Sequence, residues 1–208
     1  WLYGWIGVVP GIIGLILLIR AYTVVAAAKS ELKKFLVDKL CGFFDLDYRH
    51  DDFAFPLERF DQLGLVPDFN RSSLEDHISG QRDGAPLRLA DAHLRMRSGS
   101  GKSSSTKTVF RGPLFIFDWP HDFNGTTLVT DDRGGLLNRL RKLAVPGDPV
   151  PFEDADFEKR FEVFSTDANQ ARALLDTHFR QRLMALDEQV GMRRIRCAFE
   201  TGQLLVSL

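Results

Sequence analysis

LRLADAHLRMRSGSGKSSSTKTVFRGPLFIF, residues Leu87–Phe117, decides how this chain folds. Leu87 and Leu89, then Ala92, Leu94 and Met96, carry a loosely alternating apolar pattern, and Thr108 to Phe117 carries a second. Alternation at period two marks half-buried strands. The Gly/Ser/Lys run between them reads as a polar tip, so the stretch predicts a long β-hairpin. A competing reading lies inside it. Ser98-Gly99-Ser100-Gly101-Lys102-Ser103 looks like the end of a phosphate-binding Walker A loop. That loop needs a glycine five places before its last, where this chain has Met96. It must also feed a helix whose N-terminus cradles the phosphate. Here the chain runs instead into Thr108-Val109-Phe110, a strand signal. In the second arm, Gly112-Pro113 predicts a break or bulge, because proline cannot donate to a ladder.

Toward the C-terminus, Asn124-Gly125 marks a tight turn into a strand over Thr126–Thr130. Asp131-Asp132 reads as the cap of a helix over Leu136–Leu143, and Asp148-Pro149-Val150-Pro151 as a linker-like loop. Glu153, Asp154 and Asp156 suit the positive end of a short helix. Phe161–Ser165 reads as a strand. Asp167 with Gln170 resembles a capping box for one long helix whose apolar stripe is Ala171, Leu175, Phe179, Leu183 and Leu186, stopped by Gly191. Two strands, Ile195–Phe199 and Leu204–Leu208, then pair across Thr201-Gly202.

Toward the N-terminus, Pro56 opens a short helix closed by Gly64. Ser72 with Glu75 makes a capping box that predicts a helix over Leu74–Ile78, ended by Gly80. Tyr22 to Leu40 reads as a helix with an apolar stripe of Val25, Ala28, Leu32, Phe35, Leu36 and Leu40.

Before it stands WLYGWIGVVPGIIGLILLIRAY, Trp1–Tyr22, which carries no charge until Arg20. About 20 apolar residues at 1.5 Å rise span a bilayer. Gly4, Gly7, Gly11 and Gly14 would weaken such a helix in water, yet they let a second helix approach closely in lipid. Trp1, Tyr3 and Trp5 suit one membrane interface, and Arg20, Lys29 and Lys33 the other. The basic flank follows the run, which argues against a secretory signal and places the following domain on the cytoplasmic side. The expected organisation is a membrane helix over 1–22, a juxtamembrane helix and connector over 23–55, and a cytoplasmic α+β domain over 56–208 with an antiparallel, hairpin-rich sheet and several short helices.

Composition agrees with one folded domain: 44% hydrophobic, 26% charged, net charge −1. No global field favours nucleic acid. Cys41 and Cys197 are the two cysteines and form no CxxC pair, so a disulfide framework or cysteine zinc site is not expected.

Chemistry has few candidates. Asp45, Asp47, His50, Asp51 and Asp52 lie among Phe43, Phe44, Tyr48, Phe53 and Phe55, and could serve a divalent metal, although no EF-hand spacing is present. This Asp45–Asp52/His50 cluster supports an alternative reading as a membrane-surface hydrolase. His121-Asp122 sits in a turn and could do acid–base work. None of His50, His77, His93, His121 and His178 forms a paired metal motif. No catalytic residue, cofactor or metal ligand is assigned from these patterns.

The strings HLRMRSGSGKSSSTKTVFRGPLFIFDW, FEKRFEVFSTDANQARALL and ETGQLLVSL, in that order and spacing, resemble a bacterial family with a domain of unknown function, number 3137, whose members are sometimes labelled galanin. The resemblance covers most of the chain after Phe53. It implies two adjacent membrane spans near the N-terminus, a cytoplasmic α+β domain and no assigned activity. Genes of such proteins often lie near those of LemA-type membrane proteins, which implies a possible partner. Leu175-Asp176-Thr177-His178 departs from the family, whose members tend to carry Thr-Pro there. The functional expectation is a membrane-anchored binding or scaffold module of the bacterial inner membrane. Its expected partners are membrane lipid, a LemA-type protein or a second copy bound through the glycine-marked span.

Overall fold

The computed structural model describes residues 31–82, 84–99, 103–119, 123, 125–131, 147–191 and 195–208. The chain divides into two compact units after Tyr48. The expected membrane helix, with Trp1, Tyr3, Gly4, Trp5, Gly7, Gly11, Gly14, Arg20 and Lys29, lies outside the described residues. Among the described residues, no helix is long and apolar enough to cross a membrane.

In the first unit, α1 covers residues 31–43. It closes where Leu46 N–H donates back to the Cys41 carbonyl at 2.8 Å, with Asp45 in the left-handed region at φ 54°. A short strand, β1 (Asp47–Arg49), straddles the division.

The second unit, Arg49–Leu208, is built on one sheet. Its strands are β2 (Arg71–Arg82), β3 (Ala85–Ser98), β4 (Ser105–Asp118), β5 (Thr126–Asp131), β6 (Asp148–Pro149), β7 (Phe161–Ser165), β8 (Arg196–Glu200) and β9 (Gln203–Ser207). They lie in the order β2-β3-β4-β9-β8-β5-β7-β6, and every neighbouring pair is antiparallel. The predicted hairpin is its longest feature, β3 against β4. Thr201 (φ 49°) and Gly202 (φ 70°) make the two-residue turn between β8 and β9, as a primed hairpin turn requires.

Over β4, β9, β8, β5 and β7 both faces of the sheet are covered, and register shows which residues share a face. The row Val163, Val129, Cys197, Val206, Phe115 points to one side. There it meets Phe157, Ala171 and Leu183 from α3 (Ala155–Glu158), α4 (Ala168–Leu174) and α5 (Thr177–Gln189), and Leu175, which ends α4. The next row, Phe164, Leu128, Ala198, Leu205, Ile116, points to the other side, where it meets Phe60, Leu63, Leu65 and Val66. Phe60 belongs to α2 (Leu57–Gln62), opened at Pro56 and closed by Gly64 at φ 68°. Arg59 pins α2 to the β8–β9 turn, donating to Gln203 Oε1, to Glu200 Oε2 at 3.2 Å and to Thr201 Oγ1 at 3.1 Å.

The structure corrects several expectations. The segment predicted as a helix over Leu74–Ile78 is the middle of β2. The ladder continues through Gly112 and Pro113, paired with Ala92 and Asp91. The bulge comes earlier, at Val109, where register shifts between Leu94 and Arg95. Glycine at 112 serves packing instead: a Cβ there would collide with the carbonyl oxygen of Leu208, whose N–H donates to Pro113 at 3.2 Å. The predicted long helix is two. Asp167 caps α4 through Asn169 and Gln170, and Asp176 caps α5 by accepting from Phe179 N–H at 2.7 Å. Asp148-Pro149 is a short strand on β7. Asp131 ends β5, with Arg196 Nε 3.6 Å from its carboxylate. Asp132 and the segment Leu136–Leu143 lie outside the described residues. Asp154 does cap α3, accepting from Phe157 N–H.

Candidate interaction surface

A soluble helix hides its apolar stripe, and α1 does not. Leu32, Phe35, Leu36, Leu40, Phe43 and Phe44 are all more than half exposed, from 51% at Leu36 to 80% at Phe43. Their spacing puts Leu32, Leu36, Leu40 and Phe43 along one side, at intervals of three or four residues. Among the described residues, every exposed large hydrophobic side chain lies in this one segment. Lys33 is exposed beside the stripe, Lys34 bonds Glu31 at 3.4 Å, and the Lys39 ammonium sits 5.7 Å from the Phe35 ring centre. Contiguous exposed apolar surface of this kind marks contact with a partner or with lipid.

The acidic cluster separates. Asp45, Asp47, Asp51 and Asp52 are exposed, while His50 is half-buried. His50 Nδ1–H donates to Asp76 Oδ1 at 2.9 Å, and Asp76 N–H donates to the His50 carbonyl at 3.0 Å. Asp76 sits in a bulge of β2, buried and in the left-handed region at φ 56°. Its carboxylate fixes the orientation of the imidazole. Next to it, His77 stacks on Phe53 with ring centres 4.8 Å apart and meets Phe55 edge-on at 6.3 Å. Both His77 ring nitrogens are buried without a hydrogen-bond partner. Burial lowers its pKa from the ordinary value, helped by the Arg49 and Arg88 charges. Among the described residues, no group of three His, Cys, Asp or Glu side chains could hold a metal ion. Asp76 was missed in the sequence, and His77 was seen only as an unpaired histidine, because both fell inside the segment read as a helix.

A groove of about 950 Å³ runs between the sheet and α4 and α5, lined by Phe117, Trp119, Phe179, Leu183, Leu204 and Val206. His178 and Arg182 border it, both exposed. The Walker-like lysine, Lys102, and His121-Asp122 lie outside the described residues. Gly99 and Ser103, which flank the tip, lie between the two antiparallel strands β3 and β4.

Residues 108–208 match the model of a family described as a protein of unknown function (DUF3137). The resemblance read from sequence began near Phe53, so its first third, up to Lys107, lies outside the match. No curated protein and no solved structure matches the chain.

Proposed function

From the premise that this is a DUF3137 protein, we propose that it is a membrane-anchored scaffold module that associates with a second copy of itself. The observation that carries this reading is the confinement of all exposed large hydrophobics, among the described residues, to Leu32–Phe44, directly after the apolar run. A stripe left open on a monomer asks for a cover. A second copy supplies one, because the stripe then continues the close-packing surface that Gly7 and Gly11 offer in lipid. The two segments act as one association device: small residues bring the helices together inside the bilayer, and Leu32, Leu36, Leu40 and Phe43 pack just outside it. The rest of the domain then stands at the inner leaflet of the bacterial inner membrane, where it can present its sheet to other components, a LemA-type membrane protein among them.

The test is the oligomeric state of the full chain in nanodiscs or mild detergent, measured by mass photometry. Wild type is expected as a dimer or larger. Leu36→Asp with Leu40→Asp, and separately Gly7→Leu with Gly11→Leu, are expected to give monomer with the fold retained. A wild type that is monomeric at micromolar concentration in the membrane overturns the reading.

A further inference from the structure

Far from α1 in sequence, the outer ends of β2, β3 and β4 share a face whose chemistry the anchoring role leaves unused. Side chains directly opposite in an antiparallel ladder point the same way, and so do residues two apart on one strand. Register puts Arg71 opposite Arg95, and Arg111 opposite His93. Arg97 follows Arg95 by two, on the same side, opposite Thr106. Four guanidinium groups and an imidazole therefore share one face, with rows about 7 Å apart. Among the described residues, no carboxylate forms an ion pair with Arg71, Arg95, Arg97 or Arg111. The polar contact that Arg97 makes through its guanidinium is to the Ser104 hydroxyl at 3.3 Å, and His93 Nε2 lies 2.9 Å from the Thr108 hydroxyl. Arg95 Nε is buried with no hydrogen-bond partner. Like charges directly opposite destabilise a sheet, so the Arg71–Arg95 pair is a local cost to folding. An external anion removes that cost.

We infer that this cationic strand face binds anionic phospholipid headgroups. The inference rests on the membrane-anchored reading above, and its support is charge complementarity. The patch is made of Arg, His, Thr and Ser, is bordered on the inner side by the Glu75–Asp91 pair, and has no aromatic side chain on it for stacking nucleobases. It suits a planar array of phosphates that the protein meets without reading sequence. In a chain whose opening run is solvated by hydrocarbon, the nearest such array is the inner leaflet. Clustered arginines near an anionic leaflet are attracted to it, and salt weakens the attraction. Contact at the strand ends would hold the sheet against the bilayer at a second point besides the anchor.

The experiment uses the full chain with an environment-sensitive fluorophore on Ser105→Cys in a Cys41→Ser background. It is reconstituted in nanodiscs of phosphatidylcholine alone or mixed with phosphatidylglycerol, each containing a nitroxide-headgroup lipid as quencher. Ser105 is exposed at the start of β4, and Cys197 is fully buried. Quenching is expected in the phosphatidylglycerol discs, and little in the neutral ones. It should be lost near 0.5 M salt, where screening falls to about 4 Å. Loss is also expected in Arg71→Gln/Arg97→Gln/Arg111→Gln, whose three sites are exposed and leave the core alone. Because the salt arm needs no charge substitution, misfolding of the triple variant cannot hide the answer. Equal quenching in both discs, no quenching in either, or quenching that survives salt overturns the inference. A response to an RNA oligonucleotide or inorganic phosphate in neutral discs as large as that to phosphatidylglycerol also overturns the lipid assignment. A chain that stays monodisperse without disc or detergent overturns the anchoring itself, which is a separate failure.

Discussion

His50 and Asp76 meet across 26 residues of chain, imidazole Nδ1 to carboxylate Oδ1 at 2.9 Å, and their backbones are joined by a second bond at 3.0 Å. This double link ties the segment before α2 to the bulge of β2. The bulge holds Asp76 in a backbone region that few side chains other than Asn and Asp tolerate. Asp76→Ala removes the acceptor and keeps the strained backbone. The expected loss is about 1–3 kcal/mol in urea unfolding. Asp76→Asn, which tolerates the backbone and keeps an acceptor, should lose less. Equal losses from both would show that the charge, and not the geometry, is what matters.

His77 makes stability depend on pH in a defined direction. Its folded-state pKa lies below the ordinary 6.5, chiefly because burial disfavours the charged ring. The unfolded chain therefore binds a proton before the folded one does as pH falls. The contribution is fully present above about pH 6.5 and is lost as pH falls from there through the folded pKa. Thermal unfolding of wild type should show a midpoint that drops between pH 7 and pH 5. His77→Phe, which keeps the stack on Phe53, should flatten that slope. A slope unchanged in the variant would assign it to other groups.

Two glycines make an internal comparison. A Cβ at Gly112 meets the Leu208 backbone, whereas a Cβ at Gly42 meets nothing within 4 Å. Gly112→Ala should destabilise clearly, by about 2 kcal/mol or more, since the clash is with main chain that is itself tied to Pro113. Gly42→Ala, near the end of α1, should be neutral or stabilising by up to about 1 kcal/mol. Chemical denaturation of the two variants side by side checks the order.

Burial pushes the Cys197 thiol up to about 12 and raises Cys41 as well, the latter through desolvation and then the Asp38 charge. The thiolate is the reactive form, so at pH 8 only about one Cys197 in ten thousand is poised to react. A thiol reagent should leave the folded protein's Cys197 untouched, and react with both cysteines after denaturation. Fast modification of Cys197 in the native state would contradict its place in the row beside Val129 and Val206.

Much of this fold was legible in the chain, and the failures have physical causes. The β3–β4 hairpin showed itself because alternation ran loosely over Leu87–Leu94 and returned at Thr108. The β8–β9 pair showed itself through Thr201-Gly202. Strand β2 was hidden by its own bulge. Leu74 pairs with Ala92 and Ile78 with Leu89, on opposite faces, because the register slips at Asp76-His77. The slip leaves two apolar residues four apart, which mimics a helix, and Ser72 with Glu75 completes the disguise. The break between α4 and α5 was hidden because Ala171, Leu175, Phe179 and Leu183 keep helical phase across Asp176, whose capping role is seen only in its bond to Phe179 N–H. The His50–Asp76 contact could not be read at all, since no local rule links residues that far apart. The α1 stripe was legible as a pattern, but its exposure was not.

The most direct test is photo-crosslinking in the native membrane, with a photoreactive phenylalanine analogue placed at Leu36 or Phe43 of the full chain. A crosslinked product of twice the chain mass is expected at both positions, and none when the analogue sits at exposed Glu58 on α2. Monomer alone at Leu36 and Phe43, in membranes where the chain is fully inserted, would contradict self-association through this helix.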